Sequence, residues 1–482
     1  METSSANKSV ALKAGLWYVI STIVIKAISI ITTPLFTRLL TTEQYGIVST
    51  FTSWYSLLFP IFSLNLTYGV ARAKIDFSED LDKYIGSMQI LSLFFSVFIS
   101  IPLLFFIEPV SNFMGMNSFA VLLLILYLVL SPVITFTQCG YRYKYKYKQN
   151  ILISFYISLT TVVLSLFLVL FVDFDEALLR IIGIVVPALV LSVFLWFFSF
   201  KKKQICINPK YWRYGLKISG PLILHTISLY ILAQSDRIFV NMFCGNEATG
   251  IYSLAYNYAM LLSIITTAIN EGWAPWFHDS LANGKKTDIR QNTKKIVVLS
   301  CFVSLGCIAL GPEALFVLGG NNYSDGVLCV PPIVLGVLCQ YIYSHYINIE
   351  LHLKNTMFSS IGTVIAAGLN ILLNILFVPI FGYVAAAYTT LICYIVLMLM
   401  HFIISRLILH VKLYSDLFMF MSLLFTSAVA FGILYSYNFL YLRIIIICFG
   451  FISFLIYFRR YIVYYFRKIR AKFSPKNIDN RQ

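Results

Sequence analysis

The chain has 482 residues, of which 59% are hydrophobic, 16% aromatic and only 12% charged, with a formal net charge of +16 and a mean hydropathy of +0.83. A soluble protein of this length needs far more polar surface, so soluble classes are excluded and lipid is the solvent for most of the chain. The apolar runs are too long for the alternating ten-residue strands of an outer-membrane barrel, which leaves an all-α polytopic membrane protein.

Windows of roughly 20 apolar residues predict fourteen membrane-spanning helices. They lie near 12–33, 46–69, 84–107, 118–139, 151–172, 178–200, 215–243, 249–272, 295–318, 326–349, 357–379, 383–406, 415–436 and 440–462. The start METSSANKSVALKAG is polar, and the first apolar segment is long and lacks a small-residue cleavage motif, so no cleavable signal is expected. Lys and Arg alternate with the connections. Of the 36, 31 fall on the even-numbered connections and the two ends, and only Lys26, Arg38, Arg180, Arg237 and Arg443 lie elsewhere. Basic residues accumulate on the cytoplasmic side, so both termini are expected there. The charge of +16 is then positive-inside bias plus attraction to anionic lipid headgroups, and needs no nucleic acid.

Along the chain, the first charge inside a span is Lys26. Its side chain reaches roughly 6 Å while the interface is about 15 Å from the bilayer centre, which favours a cavity-lining position over a snorkelling one. Arg38 follows near the end of the same helix. YRYKYKYKQN, residues 141–150, looks like a nucleic-acid or sugar-stacking strip, but its place at a basic helix end reads better as an interfacial anchor of tyrosines and lysines. The tail RRYIVYYFRKIRAKFSPK, after residue 458, reads likewise.

HTISLYILAQSDRIFVNMF, residues 225–243, carries Asp236 and Arg237 side by side. Neighbours on a helix point about 100° apart, so the two cannot satisfy each other and at least one must meet another helix or water. The alternative is that the pair sits near the outer interface with Arg237 snorkelling outward. Glu271 lies near a cytoplasmic helix end, where Trp273 and Trp276 favour an interfacial reading. His225 and His345 lie within spans. Such histidines mostly bond across helices, but either is a candidate for a proton relay. Glu350, His352 and Lys354 read as a solvated helix end. The nine cysteines show no CxxC spacing and read as small core residues.

The longest hydrophilic connection, about 22 residues around 273–294, leaves no room for a catalytic domain, and the sequence contains no P-loop, DxD, HExxH or GxSxG. No catalytic residue, cofactor or metal site is expected. EQYGIVS at 43–49 recurs as EATGIYS at 247–253, GLWYVIS at 15 as GLKISGP at 215, and Arg38 matches Arg237. With six helices between the copies this reads as a parallel repeat: a six-helix lobe over 1–200, a second over 201–411, an added helix pair over 412–464 and a basic cytoplasmic tail over 465–482.

ITTPLFTRLLTTEQYGIVS, LAQSDRIFVNMFCGNEATGIYSLAYNYA and the short loops around fourteen helices resemble the Wzx-type polysaccharide repeat-unit flippases of the multidrug/oligosaccharidyl-lipid/polysaccharide exporter superfamily. The resemblance implies a V of two lobes in the bacterial inner membrane. By alternating access they would move undecaprenyl-pyrophosphate-linked oligosaccharide to the outer leaflet for O-antigen and lipopolysaccharide, capsule or exopolysaccharide. It also implies coupling to a proton or sodium gradient, with a polysaccharide polymerase and a chain-length regulator as partners. It transfers no catalytic residues. The chemistry of a multiply charged pyrophosphate makes Lys26, Arg38 and Arg237 the headgroup candidates, with Asp236 and Glu271 for the coupling ion. Two alternatives have sequence signatures. A multidrug exporter of small cations calls for an acidic cavity, and an O-antigen polymerase calls for a large arginine-bearing outer loop. A non-transporting scaffold would tolerate loss of the charges at Lys26 and Arg237.

Overall fold

A computed structural model describes residues 17, 21, 24–202, 204–353 and 357–472, the side chains at 357–359 and 460–472 excepted. Among these residues every regular element is helical, as the unbroken apolar runs require. Residues 24–39 form α1. There follow α2 (Thr42–Phe62), α3 (Tyr68–Asp76), α4 (Leu81–Phe105), α5 (Ile107–Met114), α6 (Ser118–Leu130), α7 (Pro132–Tyr143), α8 (Tyr147–Phe171) and α9 (Glu176–Lys201). Then come α10 (Pro209–Ala259), α11 (Leu261–Ala282), α12 (Lys286–Ala309), α13 (Gly311–Gly319), a 3-10 segment (Asn321–Cys329) and α14 (Val330–His352). The chain closes with α15 (Met357–Phe381), α16 (Tyr383–Ile403), a π turn (Ile404–Ile408), α17 (Asp416–Ser436) and α18 (Leu440–Lys472).

Local chemistry sets several boundaries. Thr41 starts α2 with a reciprocal capping box: its hydroxyl accepts from the Gln44 N–H at 3.2 Å, and the Gln44 side chain accepts from the Thr41 N–H at 2.8 Å. Asn117 caps α6 at 2.7 Å and Asp175 caps α9 at 2.9 Å. Gly245, at φ 84° and ψ 179°, breaks α10 into two helical halves, a conformation that favours glycine.

The chain is a multi-pass membrane protein. Among the described residues eleven helices are long and apolar enough to cross a bilayer, where fourteen were expected. The difference has three sources. The seventh and eighth spans run together as Pro209–Ala282, interrupted by Gly245. Helix α2 is 21 residues long but rich in Thr, Ser, Glu and Gln, so it falls outside the eleven. The first span lies partly outside the described residues.

Buried side chains gather on either side of a seam. Phe51, Phe62, Leu124, Tyr84 and Phe136 belong to clusters drawn from residues 36–238, and Tyr252, Leu338, Tyr346 and Leu397 to clusters drawn from residues 232–433. Helix α2 lies along α10 at that seam. Large apolar residues such as Phe105 and Tyr441, each 82% exposed, cover the outside where lipid is the solvent. Four of the five cations outside the loop pattern have local partners. Arg180 donates to the Ser165 hydroxyl at 2.5 Å and sits 3.7 Å over the Phe36 ring. Arg443 ion-pairs with Glu313, tying α18 to α13. The other two, Arg237 and Arg38, are described below with the seam.

Candidate functional site

The adjacent charges of α10 go opposite ways. Asp236 is 1% exposed and turns away from the seam toward α15 and α16. Its carboxylate accepts four hydrogen bonds from neutral donors: Thr390 Oγ1 at 2.5 Å, Tyr252 OH at 2.9 Å, Asn374 Nδ2 at 2.9 Å and Asn370 Nδ2 at 3.2 Å. Asn370 Oδ1 accepts from Ser235 at 2.6 Å, and Asn374 Oδ1 from Thr389 at 2.8 Å. A buried carboxylate costs several kcal/mol unless its lone pairs are met, and four donors meet them here.

Arg237 turns toward α2. It donates to Gln234 Oε1 at 2.7 Å and to Asn257 Oδ1 at 2.8 Å, with its guanidinium 4.6 Å from the centre of the Tyr256 ring. Both acceptors reach across the seam: Ser53 donates to Gln234 at 3.3 Å, and Asn257 donates to the Tyr45 hydroxyl at 3.2 Å. Arg237 is therefore buried and engaged, and does not snorkel.

Lys26 is exposed on α1 and lines a cavity of about 230 Å³. Opposite it stand Asn257, Tyr258 and Ser263. Asn257 thus connects the two cationic candidates, one on the wall and one just behind it. Arg38 is not brought to this cavity; its guanidinium donates to the Val317 carbonyl at 3.4 Å, beside the bond from Thr37 to the Leu318 carbonyl.

The helices touch closest at the two glycines of the repeated heptad. A Cβ on Gly46 would lie 1.8 Å from the Asn246 carbonyl oxygen and 3.0 Å from the Gly250 nitrogen. A Cβ on Gly250 would lie 2.0 Å from the Thr42 carbonyl oxygen and 3.2 Å from the Gly46 nitrogen. Gly46 and Gly250, like Thr42 and Asn246, are 204 residues apart, so the contact is reciprocal about a local two-fold. Beside it the Tyr45 and Tyr323 rings meet edge to face at 6.0 Å.

The remaining candidates lie apart. Glu271 is exposed on α11 and is not among the groups around Asp236. His225 bonds Thr363 Oγ1 through Nδ1 at 2.7 Å, a single interhelical contact. His345 is fully buried among Trp273, Tyr341 and Tyr414, with neither ring nitrogen hydrogen-bonded. No hydrogen-bonded relay joins the two histidines to Asp236 among the described residues.

The expected solvated end at 350–354 is corrected. Glu350 is completely buried and pairs with His401 Nδ1 at 2.7 Å, because α14 ends against α16 and not in water. His352 faces His278 at 3.2 Å, and Lys354 lies outside the described residues. Trp273 is also buried, packed on Phe277, and is no headgroup anchor.

Sequence reading missed the Asp236 donors, although GLNILLN places Asn370 and Asn374 one helical turn apart in an apolar run. Two amides at that spacing share a face, and in lipid that face needs a polar partner.

The family model described as polysaccharide biosynthesis protein matches residues 11–281. Lsg locus putative protein 1 of Haemophilus influenzae is 30% identical over 142 residues, 28% of this chain and 34% of that protein. The Man(5)GlcNAc(2)-PP-dolichol translocation protein RFT1 of Yarrowia lipolytica is 26% identical over 140 residues, 26% of this chain and 21% of that protein. The chain therefore spans about a third and a fifth of the lengths of these relatives. Among solved structures, the lipid II flippase MurJ in an inward closed conformation matches with a TM-score of 0.66 at 17% identity, covering 93% of this chain and 100% of that one. A multidrug resistance MATE family transporter in an inward-facing conformation matches with a TM-score of 0.61 at 14% identity, covering 78% and 94%. At these identities the likeness is one of fold.

Proposed function

The chain belongs to the polysaccharide biosynthesis protein family, and from that premise we propose that it is a flippase. It carries a lipid-linked oligosaccharide, with undecaprenyl pyrophosphate as the carrier, across the bacterial inner membrane for surface polysaccharide assembly. Two six-helix lobes, over 1–200 and 201–411, rock about the seam of α2 and α10 to give alternating access. Both termini and the basic connections face the cytoplasm.

The observation that carries this reading is Lys26 on the wall of a cavity at the seam. A pyrophosphate cannot enter hydrocarbon without losing its hydration, and an ammonium group in a low-dielectric cleft offsets part of that cost. Arg237 supports the wall through Asn257. A cavity of about 230 Å³ is too small for a sugar repeat unit, so transport requires the seam to part. What holds it polar-side is a short set of neutral bonds: Ser53 to Gln234, Asn65 to Thr226 at 2.8 Å, Asn257 to Tyr45 and Thr37 to Leu318. At a net value of about 1 kcal/mol each, these are within what a bound ligand can shift.

Asp236 is the group we assign to cation coupling. Its carboxylate is held only by neutral N–H and O–H donors, from two side-chain amides and the hydroxyls of Thr390 and Tyr252, so its charge is left for a proton or a hard monovalent cation to neutralise. Such a cation would supply charge neutralisation that links α10 to α15 and α16.

The test is the sidedness of lipid-linked oligosaccharide in cells with the protein, without it, and with Lys26→Ala or Arg237→Ala. Complete repeat units should accumulate on the cytoplasmic face in the null strain and in Lys26→Ala. Normal translocation with unpolymerised units outside points to a polymerase and overturns the reading. Unaffected polysaccharide together with drug sensitivity points to a multidrug exporter.

A further inference from the structure

The strip YRYKYKYKQN does more than mark an interface. Tyr145, at φ 56°, takes a left-handed conformation unusual for a side-chain-bearing residue, and breaks the chain between α7 and α8. The Lys146 N–H closes the turn on the Tyr141 carbonyl at 2.8 Å, and Lys74 lies 4.5 Å over the Tyr145 ring. This break puts Lys144 and Lys146 on a cavity of about 140 Å³ between α4, α7 and the end of α9, whereas Arg142 lines a different one.

Lys202 approaches the same cavity from α9. It is placed there because the chain after α9 runs directly over α4: a Cβ on Gly86 would lie 2.1 Å from the Gln204 carbonyl oxygen. Three lysines therefore line the cavity with one carboxylate, Asp82, which is paired to Lys144, while the Lys202 ammonium lies 4.6 Å over the Phe198 ring. Gln89, 3% exposed, also lines the cavity. Three lysines against one carboxylate leave net positive charge on this cavity, and Gln89 adds amide N–H donors to its wall, so the arrangement suits an anion with oxygen acceptors.

The volume is well below the roughly 300 Å³ or more that a nucleotide-sized ligand fills, but accommodates one phosphate group. Part of the lining is apolar, at Ile85, Leu195 and Phe198, the last 41% exposed. We propose that this cavity is a phosphate-binding site on the basic face, and that its phosphate is the phosphodiester of an anionic phospholipid whose chains run down past Phe198. The inference is independent of the transported substrate.

Native mass spectrometry of the purified full chain, titrated with phosphatidylglycerol and with phosphatidylcholine, tests it. Wild type should retain phosphatidylglycerol selectively. Lys146→Gln with Lys202→Gln should weaken it roughly 30-fold, at about 1 kcal/mol per lysine. Gln89→Leu, which leaves every charge in place, should weaken it roughly tenfold by removing a hydrogen bond to an anion. Lys285→Gln with Lys286→Gln, on another basic connection, should leave retention unchanged. Equal loss in the two lysine pairs, or wild-type retention in Gln89→Leu, would mean diffuse surface charge and overturn the site. Thermal melting of each variant separates loss of binding from loss of folding, and Gln89→Glu, which adds a repelling charge to a folded protein, should abolish retention. Dialysis against labelled inorganic phosphate distinguishes the source. Negligible uptake supports the lipid assignment, while saturable uptake that displaces phosphatidylglycerol and is lost in Gln89→Leu overturns it in favour of soluble phosphate.

Discussion

Replacing Gly46 by valine should hold the seam apart. A Cβ at 1.8 Å from the Asn246 oxygen must retreat to ordinary contact at 3.4 Å or more, so α2 and the second half of α10 must move apart by about 1.6 Å. Because the obstacle is backbone, no side-chain rotation relieves it. Overpacking of this kind costs about 1–3 kcal/mol, which shifts the closed-to-open ratio roughly 5- to 150-fold. Gly250→Val should do the same, since the contact is reciprocal. The double variant should cost less than the sum, because helices already parted accept the second side chain more cheaply. Electron–electron double resonance between nitroxides at exposed Glu43 and Glu247, in a background lacking the nine native cysteines, reads the separation. A distance distribution in Gly46→Val that matches wild type, with translocation intact, refutes the claim that this contact closes the seam.

Other outcomes follow from single sites. Lys26→Arg should retain most translocation and Lys26→Ala should lose it, measured by oligosaccharide sidedness, since only the charge at the cavity wall is at issue. Asp236→Leu strands four donors and should lower the unfolding free energy by about 3 kcal/mol or more, whereas Asp236→Asn should cost less and selectively abolish dependence on the ion gradient in reconstituted vesicles. Removing one partner of the buried Glu350–His401 pair should cost about 3 kcal/mol, and a double-mutant cycle by chemical denaturation should recover a coupling energy near that size. At the basic face, the hydrogen bond from Tyr214 at 2.5 Å, aided by Arg72 at 3.1 Å, holds the Asp76 carboxyl below the usual carboxylate range. The folded value lies under the unfolded one, so this contribution is complete above about pH 4 and is lost as pH falls through the folded value. Melting curves between pH 3 and 7 should show a shallower acid limb in Tyr214→Phe.

The fold class was legible because lipid imposes it on composition, and the family through the resemblance carried by stretches such as LAQSDRIFVNMFCGNEATGIYSLAYNYA. Every backbone polar group in hydrocarbon must be bonded within its own segment, so long apolar runs can only be helices, and basic loops mark one face. Lys26 was equally legible, since a cation in mid-helix with no acid nearby in its helix has few places to go. The heptads containing Gly46 and Gly250 could be seen to match, but their matching does not say that they touch. That depends on two helices some 200 residues apart meeting at a particular height.

The partners of the charges were decided in three dimensions. Nothing in SDR fixes which of two neighbours turns inward: Asp236 met Asn370, Asn374 and Thr390 because α15 and α16 pack on that side of α10, and Arg237 met Asn257 and the seam because α2 packs on the other. Arg38 and Arg237 were paired by the sequence repeat, yet one binds a carbonyl of α13 and the other an amide of α10. Glu350 shows the limit most plainly. In sequence it is an acid at a helix end, where water is the default partner, and only the approach of His401 on α16 removed the water and replaced it. Sequence by itself determined which solvent surrounds this chain and which residues are costly to place in it. Tertiary structure decided how each cost is met, because a hydrogen bond acts over about 3 Å and periodicity carries no information about which distant helix will supply it.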